Sequence, residues 1–431
     1  MLTAITGVNW GDEGKGRMVD LLSRDYDIVV RYQGGNNAGH TVKNERGKFV
    51  LNLLPSGILR PEVVCVMGAG MVIDPAHLKK EIAALRAQGV KVGPENLKIS
   101  DRATLCMPYH VAEDGLEEDR LAKTGSQFGS TRRGIAYAYG DKYMKKTLRM
   151  GDLLNLDAAL RQRLATIVEW KGLTMERVYG APTPKLEELW TWCGEYAREF
   201  GDYICDAGAY LDAADRAGKK ILFEAQLGAL RDIDYGIYPY TSSSSVIGAY
   251  APIGAGIPGR RLDRSIGVMK AYSSCVGEGP FAAEQAMTEA EKHALREAGH
   301  EYGAATGRPR RVGPFDVVAS RYGAACQGAD ELALTLLDVL DYMDEVPVVE
   351  KYLVDGVETD RFPMGTQLDN AKPVVRTLPG WHCDISGCRR WAELPEAAQN
   401  YVRYIEKAVG RPIRYISVGP DRDACILKDG D

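Results

Sequence analysis

The chain has 431 residues, 45% hydrophobic and 26% charged, which is enough apolar material for a large core and excludes a disordered or fibrous protein. Its 54 basic and 59 acidic side chains leave a formal charge of -5, without the basic excess that a nucleic-acid binder needs. No apolar run approaches the roughly eighteen residues of a membrane span, and the opening MLTAITGVNWGDEGKG has neither a basic leader nor a cleavage-site pattern, so an untargeted, soluble protein with no membrane partner is expected.

The first strand-like run, Leu2 to Val8, leads into Trp10-Gly11-Asp12-Glu13-Gly14-Lys15-Gly16-Arg17 and then a helical Met18 to Leu22. In a strand, glycine-rich turn and helix, backbone N–H groups and the helix N-terminus converge on an anion, and Lys15 adds a point charge for phosphate. The loop departs from G-x-x-x-x-G-K-[ST], since Asn9 stands at the opening glycine and Gly16 follows the lysine, which disfavours a routine P-loop ATPase. A tight turn with surface charges is the alternative. Against it stands Asp12, an acid inside an anion-binding loop, which needs a metal or proton-transfer role to be tolerated there.

A second strand, around Ile28 to Val30, ends in Gln33-Gly34-Gly35-Asn36-Asn37-Ala38-Gly39-His40-Thr41, with one of only six histidines. At the same sheet edge, Asp12 and His40 could face one ligand as a proton-transfer pair. Val63 to Met67 reads as a strand, and Ala76 to Gln88 as a helix with Leu78, Ile82 and Leu85 on one face and Gly89 as its stop. The segments Gly129 to Gly134 and Ala305 to Arg311 combine hydroxyls, glycines and guanidiniums, which clamp phosphates and carboxylates. Leu332 to Leu337 is apolar enough for a buried strand and delivers Asp338 and Asp341, acids able to accept from the amidine edge of guanine or simply to cap a turn. Near the end, Pro395 opens a helix striped by Ala398, Tyr401, Val402, Ile405 and Val409, Gly410 closes it, and Ile413 to Val418 follows as a strand. The nine cysteines, from Cys65 to Cys425, form no C-x-x-C pair, so inert thiols in a reducing cytoplasm and no structural zinc are expected. No repeat or long linker divides the chain, so one domain over residues 1–431 is expected, of α/β class with a large, mostly parallel central sheet flanked by helices.

The ordered series WGDEGKG, QGGNNAGHT, LPSGIL, YPYTSSS, KAYSSCVGEGPF, ATGRPRR, LDVLD and VGPDR resembles the adenylosuccinate synthetase family from end to end. The resemblance implies a P-loop-like nucleotide-binding architecture and a cytoplasmic homodimeric ligase that uses GTP and Mg2+ to join L-aspartate to IMP through a 6-phosphoryl intermediate. In that reading Asp12 takes the N1 proton of IMP and binds magnesium, with the Gly39 carbonyl as a second metal ligand, and His40 supports the oxygen that receives the phosphoryl group. GTP would meet Gly11 to Arg17 (with Glu13, Gly14, Lys15 and Gly16 between), Gly39 to Thr41, Arg310, Leu336, Leu337, Asp338, and Ser417, Val418 and Gly419. IMP would meet Asp12 to Lys15, Asn37, Ala38, Gly39, His40, Thr131, Gln226, Thr241, Ser242 and Arg308, and the partner subunit's phosphate site would be reached by Lys145. The loop of Ala304, Ala305, Thr306, Gly307, Arg308, Pro309 and Arg310 corresponds to the aspartate-binding loop.

Three positions and one segment depart from the family pattern. Arg132 stands at a usual glycine, Lys145 at a usual arginine and Leu336 at a usual lysine, while Phe223 to Ala229 replaces an EGAQGT-like string and leaves the register of Gln226, Thr241 and Ser242 open by one residue. Two other classes fit parts of the pattern: a ligase for a 2-amino purine such as dGMP, against which the retained Asp12 speaks, and a GTP-binding switch without ligase chemistry. No G-x-G-x-x-G follows the first strand, which disfavours a dinucleotide site.

Overall fold

Strands that are apolar on both faces must be covered on both sides, and here they assemble in the middle of one sheet. The computed structural model describes residues 1–44, 47–126, 129–303, 307 and 309–428. Ten strands make the central sheet: β1 (Leu2–Gly7), β2 (Ile28–Arg31), β3 (Val64–Met67), β4 (Leu97–Ser100), β5 (Ile204–Cys205), β6 (Ile221–Glu224), β7 (Arg264–Lys270), β8 (Glu331–Thr335), β9 (Ile413–Ser417) and β10 (Cys425–Leu427). Their order is β10-β9-β8-β7-β1-β6-β2-β3-β4-β5, and every pairing is parallel except β9 with β10. β1, β2 and β6 are buried at every residue, as their unbroken apolar character requires. A smaller sheet, built on Glu345–Val354 with Val357–Thr359 and Lys372–Pro379 antiparallel to it, flanks the β8 side.

Parallel strands need crossovers, and helices supply them: α1 (Lys15–Leu22), α2 (Pro75–Ala87), α3 (Pro108–Ala122), α4 (Ile135–Met144) and α5 (Ala158–Tyr179) come first. α2 starts where the Asp74 carboxylate accepts from the N–H groups of Ala76 and His77 (3.0 and 3.1 Å) and stops before Gly89 at φ 77. The helix Glu396–Val409 buries Ala398, Tyr401, Val402, Ile405 and Val409, the five residues of the predicted stripe, and ends at Gly410, φ 77. Two boundaries differ from the sequence reading by more than one residue. α1 begins at Lys15 rather than Met18, because left-handed Gly14 (φ 92) turns the chain directly into it, and β8 ends at Thr335, because Leu336 is also left-handed (φ 61). Among the described residues no helix is long and apolar enough to cross a membrane.

α3, α4 and α5 are joined by buried charge. His110 Nε2 meets Asp141 at 2.9 Å, and Lys171 Nζ meets both Asp141 (2.7 Å) and Glu113 (2.8 Å), with all four side chains at most 4% exposed. Removing the one lysine strands Glu113 in a low-dielectric space and leaves Asp141 with His110 alone, so Lys171→Met is expected to destabilise the protein by about 3 kcal/mol or more in denaturant unfolding. A loss below about 1 kcal/mol would mean that water reaches the cluster and screens it.

Candidate functional site

Because β1, β2, β6, β7, β8 and β9 run parallel, the loops after them open on one edge of the sheet, the usual location of ligands in such folds. Several strands deliver a polar residue at that edge: Arg31, Glu224, Lys270, Thr335 and Ser417 close β2, β6, β7, β8 and β9 in turn.

The loop after β1 is held from inside. Glu13 Oε1 accepts from the N–H groups of Asn9 (3.1 Å) and Gly11 (2.8 Å), its Oε2 takes the Lys15 ammonium at 2.5 Å, and its carbonyl accepts from the Thr335 hydroxyl at 2.7 Å. Burial works to raise the Glu13 carboxyl, but the Lys15 charge and hydrogen bonds outweigh it and hold it below the usual range. With Glu13 and Lys15 committed inward, Asp12 at φ 58 is the acid left at the loop tip, its side chain 37% exposed. Arg310 reaches it from the far side, Nη2 to Asp12 Oδ2 at 2.9 Å.

His40 packs on the first turn of α1. A Cβ placed on Gly16 would come within 2.6 Å of His40 Cβ, so the position that carries Ser or Thr in a standard P-loop has no room for a side chain here. The imidazole Nδ1 bonds the buried Glu224 carboxylate, which also accepts from the Ser56 N–H (2.7 Å) and hydroxyl (2.6 Å). Burial pushes His40 below its usual value against the pull of Glu224. On Glu224 burial acts upward, but His40, Arg31 and Ser56 prevail and keep it ionised. The pair is therefore best described as a carboxylate that fixes the ring, leaving Nε2 as the working nitrogen. Glu224 was not singled out in the sequence; the only signal was an acid closing the apolar run Ile-Leu-Phe.

Other predicted residues fall in several places. Asn37 and Ala38 are half-buried and Gly39 and Thr41 exposed, beside His40, with the Ala38 carbonyl accepting from Asn52 at 3.2 Å. Gln226 is fully buried just after β6, and its amide donates to the carbonyls of Gly35 (2.7 Å) and Asn52 (2.9 Å) while accepting from Gly35 N–H (3.3 Å), tying it to the loop that leads to His40. The next residue, Leu227, is left-handed (φ 60), half-buried and packed on Gly11. Thr241 and Ser242 are half-buried, and Ser242 is tied to Arg231, whose carbonyl accepts its N–H at 2.8 Å. Thr131 is exposed before α4 and Lys145 is exposed at its far end; a ten-residue helix separates them by about 15 Å, so one chain does not gather both. Ala304, Ala305, Thr306 and Arg308 lie outside the described residues; Gly307 and Pro309 are exposed and Arg310 is half-buried.

On the β8 and β9 side, Arg17 bonds the Ser417 hydroxyl and the carbonyls of Asp421 (2.6 Å) and Ala424 (2.9 Å), next to buried Val418 and Gly419. Leu337 is buried, and Leu336 packs half-buried on the core beneath. Asp338 has a buried Oδ1 without a partner, and its carboxyl is pushed up to about 6 by burial and by the nearby Asp341 and Asp384. A buried, unpartnered acceptor at a ligand edge is suited to N–H donors of a base.

The parallel sheet, a glycine-rich loop opening a helix, an oriented acid and imidazole, and a separate acceptor for a base define a nucleotide-using α/β enzyme. The adenylosuccinate synthetase model matches residues 4–426, and the chain belongs to that family. It is 45% identical to adenylosuccinate synthetase 2 of Pseudoalteromonas translucida over 98% of this chain and 99% of that one, and 44% identical to the adenylosuccinate synthetase of Carboxydothermus hydrogenoformans over 99% and 98%. Among solved structures, the fully ligated adenylosuccinate synthetase of Plasmodium falciparum superposes with a TM-score of 0.91 at 34% identity, covering 99% of both chains. The succinoaminodeoxyadenylate synthetase of cyanophage S-2L, at 19% identity and a TM-score of 0.59 over 100% of this chain and 95% of that one, shares the fold.

Proposed function

We propose that this chain, acting as one unit in the cytoplasm, ligates L-aspartate to IMP at the expense of the γ-phosphoryl group of GTP, giving adenylosuccinate, GDP and phosphate on the route to AMP. The observation that carries the reading is the packing of His40, oriented by Glu224, against the helix that follows the Asp12 loop. Asp12 removes the N1 proton of IMP, which raises the nucleophilicity of the 6-oxygen. The Glu224 carboxylate supports the imidazolium form of His40 against burial, and in that form Nε2 donates to that oxygen as it takes the γ-phosphoryl group; the aspartate amine then displaces the phosphate. The helix N-terminus at Gly14 to Gly16 offers its N–H groups to phosphate, and Asp338 accepts from the guanine amidine edge.

The donor set suits Mg2+: the Asp12 carboxylate and the Gly39 carbonyl are hard oxygens at an exposed edge. Among the described residues no cluster of three or more His, Cys, Asp or Glu forms a protein-only cage, so phosphate oxygens would complete the shell. Bound there, the ion would neutralise charge developing on the transferred phosphoryl group. The aspartate carboxylates fall to the loop ending in Arg310, with Arg308, while Thr131 and Ser242 serve the IMP phosphate side. Lys145, exposed beside Tyr143 (75%) and Met144 (52%), fits a homodimer in which it reaches the IMP site of the partner subunit.

A spectrophotometric assay with IMP, aspartate, magnesium and GTP, each omitted in turn, tests the reading. Product is expected only when all four are present. GTP binding without product under any condition would favour a switch, and faster reaction of dGMP than IMP would favour a 2-amino purine ligase.

A further inference from the structure

One buried acid outside the catalytic pair is tied to it through a single guanidinium. Glu301 is 1% exposed, a state that glutamate tolerates only when paired. Its Oε1 accepts from Lys270 Nζ (2.5 Å) and the Tyr272 hydroxyl (2.5 Å), and its Oε2 from Arg310 Nη1 (2.8 Å). Lys270 also donates to the Ser274 hydroxyl at 2.6 Å, so the ammonium at the end of β7 is fixed in turn. The second guanidinium arm, Nη2, is the one on Asp12. The backbone repeats the tie: Arg310 N–H donates to the Glu301 carbonyl at 2.9 Å, the Arg310 carbonyl accepts from Arg296 Nε at 2.9 Å, and Tyr302 bridges Pro309.

We infer that Glu301 is the positioning residue for Arg310, and that Lys270 and Tyr272 hold Glu301 in place for that task. The inference rests on the ligase reading and deepens it. Two cations, Lys270 and Arg310, balance two acids, Glu301 and Asp12, and the four differ in freedom. Glu301 and Lys270 are buried and held by hydrogen bonds, whereas Asp12 is exposed at a loop tip. An arginine anchored through one arm to the buried acid keeps its other arm at a constant place in the cleft. It can pass that arm from Asp12 to an incoming carboxylate without having to be ordered first, so ordering entropy is spared at the moment aspartate binds. Without the Glu301 charge, the guanidinium is free to follow Asp12, and the carboxylate-binding position is lost.

Steady-state kinetics of Glu301→Gln test this, because glutamine keeps the shape and removes the charge. The expected result is a tenfold or greater rise in KM for aspartate, with KM for IMP within twofold and kcat within threefold of the parent. Glu301→Asp, which restores charge on a shorter arm, should fall between the two. In an Arg310→Lys background, which lacks the fork, Glu301→Gln should add less than a further twofold. A purely structural role would lower the thermal midpoint and move all the kinetic constants together, or none, and either pattern overturns the inference. If Glu301→Gln does not fold, Tyr272→Phe removes one donor and no charge; a two- to fourfold rise in the same KM is then expected, and an unchanged value overturns the inference. The parent chain in the same assay separates the two levels. No product from it defeats the ligase reading and the inference with it, whereas product with an unmoved aspartate KM in the variants defeats the inference alone.

Discussion

Asp12→Asn is expected to lower turnover by at least about 10³-fold, the range general-base removal commands, while the thermal midpoint stays within about two degrees of the parent. The two halves of that expectation have different physical sources. Chemically, an amide cannot accept the N1 proton of IMP at neutral pH and is a poorer magnesium ligand than a carboxylate, so one substitution removes both assigned tasks. Structurally little is disturbed. The side chain is partly exposed, its ion pair among the described residues is with Arg310, which keeps Glu301 as a partner, and asparagine is among the residues most at ease at the φ of 58 found here. Turnover is read by the four-component assay and folding by thermal unfolding monitored by circular dichroism. Activity within tenfold of the parent would remove Asp12 from the role of base and return the search to His40.

That Asp12 was legible at all reflects how unusual its setting is: an acid between glycines, directly after an apolar strand and before a helix, has few structural uses. The fold was legible for a similar reason, because alternating buried runs and striped helices leave little choice but a parallel sheet with helical crossovers. Glu224, Lys270 and Glu301 were not, since an acid or lysine that closes an apolar run, or an acid just past a helix end, looks the same in sequence whether it meets solvent or a buried partner. Only the sheet order, which sets β6 between β1 and β2 and β7 on the other side of β1, brings Glu224 and Lys270 to the catalytic loops. The register around Gln226 is hard to read in the sequence because of a local conformation. Left-handed Leu227 interrupts the strand alternation that would assign inward and outward faces, and no residue type announces it, because leucine there costs about 1 kcal/mol that the surrounding contacts must offset. The same conformation recurs at Arg132 (φ 55), Lys145 (φ 61) and Leu336 (φ 61). At these departures from the family pattern the side chain changed while the backbone took a turn that glycine adopts most easily.

Leu336 bears most directly on the second large effect, the response of GTP use to Asp338. Leucine packs on the core and offers no charge to the base, so recognition of guanine falls on the unpartnered Asp338 carboxylate. Asp338→Asn should therefore raise KM for GTP by about 30-fold or more, the cost of losing a charged, desolvated hydrogen-bond acceptor, with KM for IMP unchanged. The pH dependence separates this from a packing effect. In the free protein the Asp338 carboxyl is pushed up to about 6, so below that pH it holds a proton that guanine N–H donors must displace. KM for GTP in the parent chain should then climb as pH falls through about 6, approaching tenfold per unit, whereas at pH 7 and above it should be flat. The asparagine variant has no proton to lose and should show neither the climb nor a preference for GTP over ATP beyond a few-fold. A parent profile that is flat between pH 5 and 7, together with a variant that still prefers GTP strongly, would place guanine recognition on Arg17 and Ser417 instead.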